Sequence, residues 1–303
     1  MQLRSIICAT DFSESSKHAV DYGIALAKEF RAKLYMCHVI DMSYAAIYGE
    51  CKDPAELEER IMGKANDSLR GFIGEDPIDW EPLISKGHTS DEIARMATDV
   101  GVDLAITATH GRSGLKRLIL GSVTERLIRT LACPLLVVRS PERGFVSPGG
   151  QKIKLDRILV GCDFSPDSNL SFQYALALAR EFQCELHLAH VIESTMYRHI
   201  LKSGPERGQD QHALCKELNE KLKNMIPAEA HACCAPRTEL LAGQPYEELT
   251  KYAVTHNIDL IVLGVRGHSL METVFLGSTT DRVVRQAPCP VLSVQPTGSQ
   301  PQE

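Results

Sequence analysis

A glycine-containing segment in the second half of the chain has residue types and spacing that suit phosphate binding. It reads Gly264-Val265-Arg266-Gly267, then nine residues, then Gly277-Ser278. Glycine permits positive φ and a close approach of the backbone to a ligand. The residues after Gly277 predict a helix start, whose free backbone N–H groups and positive dipole end favour an anion. We therefore expect Gly277, Ser278 and the amide of Thr279 to hold phosphate, with Ser278 capping the helix or donating its hydroxyl group.

The first half of the chain holds a similar segment with one departure. The shared positions are Gly111, Gly121 and Ser122. Ala108 stands where the second half has Gly264, and its methyl group is a serious obstruction only if φ is positive there. Ser122 with Glu125 also forms a capping-box pattern, so this helix start has a purely structural explanation. The second half is therefore the better candidate for a binding site.

These segments belong to a repeat that covers nearly the whole chain. Ile6–Ser13 recurs as Ile158–Ser165 at an offset of 152, and Leu120-Gly121-Ser122 recurs as Leu276-Gly277-Ser278 at an offset of 156. Four residues are therefore inserted between Val191 and Gly243. A period this long indicates tandem domains, as does a length of 303 residues, since single domains usually have ~100–200.

Linker composition around 141–152 predicts a first domain at 1–140 and a second at 153–296. Each half alternates β-rich runs with helical patterns, which predicts a parallel sheet with helices on both sides. Apolar runs such as Leu260–Leu263 do not alternate with polar residues, and this is typical of strands covered on both faces. The last strand of each half is short and apolar. If these strands are edges, they can pair and form an intramolecular pseudo-dimer; cross-linking that places them far apart would exclude this hypothesis.

Helix boundaries carry similar signals in both halves. Ser13 and Ser165 are N-cap candidates. Gly101 and Asn257 occupy equivalent C-terminal positions and are the residue types that best tolerate a left-handed backbone. Thr89 with Glu92 is a further capping-box pattern. Because different residues satisfy the same geometry, the repeat is structural.

In these elements each half resembles the universal stress protein family. The matching segments are Thr10-Asp11-Phe12-Ser13 or Cys162-Asp163-Phe164-Ser165, the His-Val-Ile after the second strand, the glycine loop, and the Cys-Pro before the last strand. The resemblance implies two tandem flavodoxin-like (Rossmann-like) domains with five-stranded parallel sheets. In the nucleotide-binding branch it also implies an ATP or AMP site at the carboxyl ends of the strands, where open α/β sheets bind ligands.

The resemblance assigns a role to each matching position. It implies that Asp163 faces adenine and ribose, and that the Val191 backbone contacts the adenine edge. Gly264 and Gly267 let the loop surround ribose and phosphates, and Arg266 and His268 add charge to it. The weaker first-domain site comprises Asp11, Val39, Ala108, Gly111, Gly121, Ser122 and Val123.

Composition excludes several classes of protein and partner. The formal net charge of −6 provides no overall basic field for nucleic acid or an anionic membrane. No apolar run approaches the ~20 residues that cross a bilayer. The N-terminus enters a strand-like run without the regions of a signal peptide, so we expect a cytoplasmic protein. Of the ten cysteines, Cys233 and Cys234 are adjacent, and we interpret them as surface-loop thiols rather than a redox site.

Structural explanations exist for most of the polar candidates. Asp11 and Asp163 also suit a turn that leads into a helix, and His38 and His190 suit satisfied core histidines. The chain carries no G-x-S-x-G, H-E-x-x-H or C-x-x-C motif. Asp163 beside a bound phosphate would suit Mg²⁺ and slow hydrolysis.

Three functions remain open from the sequence. The favoured one is a stress-response or signalling module that binds adenine nucleotide, with a homo-oligomer or a regulatory protein as partner. The others are a slow ATP hydrolase and a scaffold that binds no nucleotide.

Overall fold

The computed structural model describes residues 3–40, 54–109, 120–139, 143–193, 208–266 and 277–296. The chain forms two compact units. The first consists of Gln2–Pro141 and Val146–Ile153, and the second of Glu142–Phe145 and Lys154–Glu303. The segment that connects the two repeats therefore contributes residues to both units.

The first unit is a parallel sheet of five strands in the order β3-β2-β1-β4-β5. Its strands are β1 (Ser5–Ala9), β2 (Lys33–Ile40), β3 (Trp80–Lys86), β4 (Leu104–Ala108) and β5 (Leu135–Val138). Its α-helices are α1 (Glu14–Phe30), α2 (Pro54–Ile73), α3 (Thr89–Val100) and α4 (Ser122–Thr130).

The second unit repeats this topology in the order β8-β7-β6-β9-β10. Its strands are β6 (Arg157–Gly161), β7 (Glu185–Glu193), β8 (Arg237–Gly243), β9 (Leu260–Gly264) and β10 (Val291–Val294). Its α-helices are α5 (Pro166–Phe182), α6 (Gly208–Met225), α7 (Pro245–Thr255) and α8 (Ser278–Gln286). A 3-10 helix, Ala228–Ala232, precedes β8.

The central strands are buried on both faces, as their unbroken apolar runs predict. All residues of Leu104–Ala108 are buried, as are the first four of Leu260–Gly264. Because β-α-β crossovers are right-handed, the reversal of direction after β3 places α3 and α4 on the face opposite α1 and α2. Accordingly, α1 contacts α2, and α3 contacts α4. The prediction of tandem α/β domains with parallel sheets is confirmed.

The predicted N-caps at Ser13 and Ser165 are confirmed, whereas the capping box predicted for α3 is not formed. The Ser13 and Ser165 side chains accept hydrogen bonds from the N–H groups of Ser16 and Ser168. The Thr89–Glu92 capping box is wrong, since His88 is the N-cap and no side chain caps the helix. The physical reason is that the Glu92 carboxylate is occupied elsewhere, by Ser85 and Arg95.

The residues predicted to end α3 and α7 adopt the left-handed backbone that the sequence predicts for them. Gly101 has φ 64° and Asn257 has φ 56°. Both residues are therefore in the left-handed region, although only one of them is glycine.

An ion pair joins the second and third strands of each unit, with its charges reversed between the units. Lys33 Nζ lies 2.7 Å from Glu81 Oε2 across β2 and β3. At the equivalent positions of β7 and β8, Glu185 Oε2 lies 3.2 Å from Arg237 Nη2. The second strand thus carries the cation and the third strand the anion in the first unit. In the second unit the second strand carries the anion and the third strand the cation.

Five cysteines that apolar residues flank in the sequence are all buried. They are Cys8, Cys37, Cys133, Cys184 and Cys289. Burial raises the pKa of the Cys37, Cys133 and Cys184 thiols to about 12. Among the helices that the structure describes, none is long and apolar enough to cross a membrane.

Candidate functional site

The topological switch point of each sheet lies between its first and fourth strands. The chain runs outward through β2 and β3, returns to β4 beside β1, and continues outward to β5. Open α/β sheets bind ligands at the carboxyl ends of the strands at such a point. Asp11 follows β1 where Ala108 ends β4, and Asp163 follows β6 where Gly264 ends β9. The structure therefore places the candidate aspartates and the residue that ends the fourth strand, Ala108 or Gly264, at this edge of each sheet.

The two aspartates also shape the turn that leads into the next helix. Asp163 Oδ1 accepts a hydrogen bond from the Ser165 N–H at 3.0 Å, and Asp11 Oδ1 accepts from Ser13 at 3.1 Å. The intervening Phe164 has φ 63°. The structural role considered for these aspartates is thus present in both units, and it holds their carboxylates at the switch point.

His190 is half-buried, and its hydrogen bond to the backbone defines its tautomer. Its Nδ1 lies 2.7 Å from the Cys162 carbonyl oxygen, so Nδ1 carries the proton that this oxygen accepts. Its ring packs against Phe164 with centroids 4.7 Å apart, and burial lowers the His190 pKa. His38 makes the equivalent bond to the Thr10 carbonyl oxygen at 2.9 Å. Both histidines therefore support the turn through Nδ1.

In each unit, hydrogen bonds join the end of the fourth strand, where the glycine loop begins, to the start of the last helix, where it ends. In the second unit the Gly277 N–H donates to the Val265 carbonyl at 3.0 Å, and Thr280 Oγ1 donates to the Gly264 carbonyl at 2.7 Å. In the first unit Gly121 bonds Thr109 at 2.9 Å. The Thr124 hydroxyl repeats the second bond, to the Ala108 carbonyl at 2.8 Å. The start of the last helix is thus fixed against the end of the fourth strand.

Neither serine caps this helix start, so of the two roles considered for Ser278 the capping role is wrong. Gly277 and Gly121 are the N-caps, no side chain makes a capping hydrogen bond, and Ser278 and Ser122 are already the first helical residues. The proposed Ser122–Glu125 capping box is therefore not formed. Because the first N–H groups of a helix have no partner within it, the amides after each glycine N-cap remain suited to an anion.

The packing of the neighbouring helix, α5 in the second unit and α1 in the first, explains why Gly264 corresponds to Ala108. A Cβ added to Gly264 would lie 2.8 Å from both the Cβ and the carbonyl carbon of Asp167, closer than such atoms pack. In the first unit Ser15 holds the position equivalent to Asp167, and the Ala108 methyl group is accommodated in a buried site. Ala108 is not among the residues with positive φ, so its methyl group causes no backbone strain.

Two charged residues that sequence reasoning did not include lie at this edge of the second unit. Asp167 pairs with Arg266, with Oδ2 3.2 Å from Nε. Lys221 Nζ lies over the Phe164 ring, 4.6 Å from its centroid. Asp167 could have been noted as an acidic residue in the first helical turn, whereas nothing near Lys221 in the sequence links it to this site.

The remaining candidates lie as follows. Val39 and Val191 are near the carboxyl ends of β2 and β7, beside the strands that carry the aspartates. Gly111, Gly267 and His268 are outside the described residues. Among the residues that are described, no group of three His, Cys, Asp or Glu side chains is arranged to hold a metal ion.

Comparisons with known proteins identify the family. The model of the universal stress protein family matches residues 2–139 and 154–295. A universal stress protein of Methanocaldococcus jannaschii is 32% identical over 143 residues, which cover 46% of this chain and 84% of that protein. One from Bacillus subtilis is 28% identical over 44% of this chain and 97% of its own length.

A solved structure extends the likeness to the whole fold. The crystal structure of a universal stress protein from Archaeoglobus fulgidus has a TM-score of 0.68 and covers 97% of this chain and 99% of its own, at 21% identity. At this identity the likeness concerns the fold alone, whereas the two family matches concern the sequence. Together with the repeated topology, they show that the chain is a tandem, two-repeat member of the universal stress protein family.

Proposed function

We propose that the second unit binds an adenine nucleotide, ATP or AMP, with its phosphates at the start of α8. The observation that carries this proposal is the uncapped helix start after Gly277, held by Thr280 against the end of β9. The amides of Ser278 and Thr279 supply donors for phosphate oxygens, and the helix dipole adds a favourable field. The Ser278 hydroxyl group, which makes no capping bond, is a further donor.

The nucleoside would lie across the switch point, toward β6 and β7. There the family resemblance assigns Asp163 to adenine and ribose and the Val191 backbone to the adenine edge. The Asp163 side chain is held at this edge by its bond to the Ser165 N–H. For a nucleotide that carries Mg²⁺, we expect Asp163 to be the carboxylate that faces the ion. The same arrangement in the first unit, with Ala108 in place of glycine, is the weaker site.

The role that follows is regulatory. Nucleotide occupancy would bias the conformation of the loop that begins at Arg266, and with it the binding of a partner protein or of a second copy of the chain. Such a nucleotide-dependent interaction would be its role in stress response or signalling. Catalysis is not required for such a role.

A calorimetric titration of nucleotide-stripped protein with ATP, in the presence and absence of Mg²⁺, tests the proposal. Gly277→Val places a branched side chain beside the helix N–H groups and is expected to weaken binding at least tenfold. Gly63→Val is the matched control, since a Cβ at Gly63 meets nothing within 4 Å. Intact affinity in Gly277→Val would contradict the site. Absence of binding into the millimolar range would leave the scaffold function.

A further inference from the structure

Two adjacent thiols lie against each other before the start of β8, far from the carboxyl edge of the sheet. Cys233 Sγ and Cys234 Sγ are 2.8 Å apart. Backbone hydrogen bonds hold them there, because the Cys234 N–H donates to Ala230 at 2.9 Å and the Cys234 carbonyl accepts from Leu186 at 3.0 Å. The proximity of the two sulfurs is therefore set by the fold of this turn.

The segment that precedes β3 in the first unit carries no cysteine. At the offset of 156 that relates β3 to β8, the positions of Cys233 and Cys234 are held by Pro77 and Ile78. The parallel pairing with the neighbouring strand is present in both units. The parallel pairing of these strands therefore does not depend on a cysteine pair, and the two thiols distinguish the second unit here.

The two thiols differ in their access to solvent, so the interpretation of both as surface-loop thiols is wrong for Cys234. Cys233 is partly exposed, whereas Cys234 is 1% exposed. Burial, together with the adjacent Cys233 thiol, raises the pKa of Cys234 to about 12. A reagent in solution therefore reacts with Cys233 first. Cys234 reacts only afterwards, with the modified sulfur of Cys233.

We propose that Cys233 and Cys234 form a site of reversible oxidation by low-molecular-weight disulfides such as oxidised glutathione. The Cys233 thiolate attacks one sulfur of the reagent, its S–S bond breaks, and one glutathione thiolate leaves. Cys234 then attacks the sulfur of Cys233 in this mixed disulfide and releases the second glutathione. The two protein thiols lose two electrons and two protons, and one reagent disulfide becomes two thiols.

The bond formed in this way is easily reduced. Consecutive Cα atoms across a trans peptide are ~3.8 Å apart, whereas disulfides usually span ~4.4–6.8 Å between Cα atoms. A bridge between neighbouring residues is therefore strained, and strained disulfides are the labile ones. The pair is suited to a transient modification rather than to a structural cross-link.

The test is peptide mass spectrometry of the native chain after treatment with oxidised glutathione in mildly alkaline buffer. Free thiols are then alkylated in acid and the chain is cut with trypsin. Residues 224–237 form a single tryptic peptide that contains only these two cysteines. We expect this peptide to lose two hydrogens, to carry neither glutathione nor alkyl groups, and to recover both thiols with a modest excess of reduced glutathione.

Two variants identify the order of the steps. Cys234→Ser is expected to retain one glutathione on Cys233, because the second thiol is missing, and Cys233→Ser to leave Cys234 unmodified. Circular dichroism checks that both variants are folded. The proposal is overturned if the wild-type peptide keeps glutathione, is alkylated at both thiols, or is joined to the peptide of the buried Cys184.

Discussion

Asp167 accepts two hydrogen bonds from Arg266, one from the backbone N–H at 3.1 Å and one from Nε at 3.2 Å. The Asp167 side chain is 9% exposed and that of Arg266 is 25% exposed, so the pair is largely shielded from solvent. It joins the first turn of α5 to the residue at which the glycine loop begins. The carboxylate also neutralises the arginine beside the proposed phosphate site.

Replacing Arg266 by glutamine should weaken ATP binding about tenfold, which corresponds to ~1.4 kcal/mol. The reason is that the Asp167 carboxylate is then left unpaired near the phosphates and repels them. Adenosine, which has no phosphate, should bind almost as before. In calorimetry the double variant Asp167→Asn/Arg266→Gln should regain most of the lost ATP affinity. If the single and double variants bind ATP equally weakly, this electrostatic account fails.

Gly264→Ala should lower both stability and ATP affinity, because the added methyl group meets Asp167 in α5. Overpacking of this kind typically costs ~1–3 kcal/mol in the free energy of unfolding, which urea denaturation measures. Ala108→Gly is the reverse change at the equivalent place and should not weaken ATP binding. Wild-type affinity in Gly264→Ala would show that the close packing of strand and helix is irrelevant to the site.

The buried His187 should make the protein less stable in mild acid. Its Nδ1 is hydrogen-bonded to the Tyr252 hydroxyl at 2.8 Å, and burial lowers its pKa, although Glu185 opposes this effect. Below pH ~6.5 an unfolded histidine binds a proton that the folded one resists, so the free energy of unfolding falls as the pH decreases. Above this pH the imidazole is neutral in both states and the effect vanishes.

Urea denaturation at several pH values between about 5 and 8 measures this dependence. The matched variant is His187→Tyr, because the first unit has Tyr35 at the equivalent position. Its free energy of unfolding should decline less in acid than that of the wild type, with the part due to His190 remaining. Equal declines in the two proteins would argue against His187 as a source of acid sensitivity.

Lys221→Met should raise the pKa of His190. Burial is the main cause of the low pKa of this imidazole, and the positive charge of Lys221 lowers it further, while Asp163 opposes both. Titration of the imidazole ring protons by NMR measures the change directly. Lys223→Met, on the same helix, is the control and should leave the midpoint unchanged. The same midpoint in both variants would place the Lys221 ammonium too far from His190 to matter.

Local sequence signals were sufficient for the sheets and for most helix ends, because strand burial and caps depend on a few neighbouring residues. Ser165 and Asn257 are examples. The Asp167–Arg266 pair joins residues 99 positions apart, so no local pattern indicates it. The error at Ser278 has a similar origin. Thr280 bonds the end of β9, and this tertiary contact makes Gly277 the N-cap and leaves the serine in the helix.

The reversed ion pairs disfavour the pairing of a strand from one repeat with a strand from the other. Exchange of strands between repeats is a characteristic folding error of such chains. If β2 paired with β8, Lys33 would meet Arg237, and if β7 paired with β3, Glu185 would meet Glu81. Like charges across neighbouring strands are unfavourable, so each wrong pairing is penalised while each correct one gains an ion pair. The reversed charges of the two repeats thus favour the pairing of each strand within its own sheet.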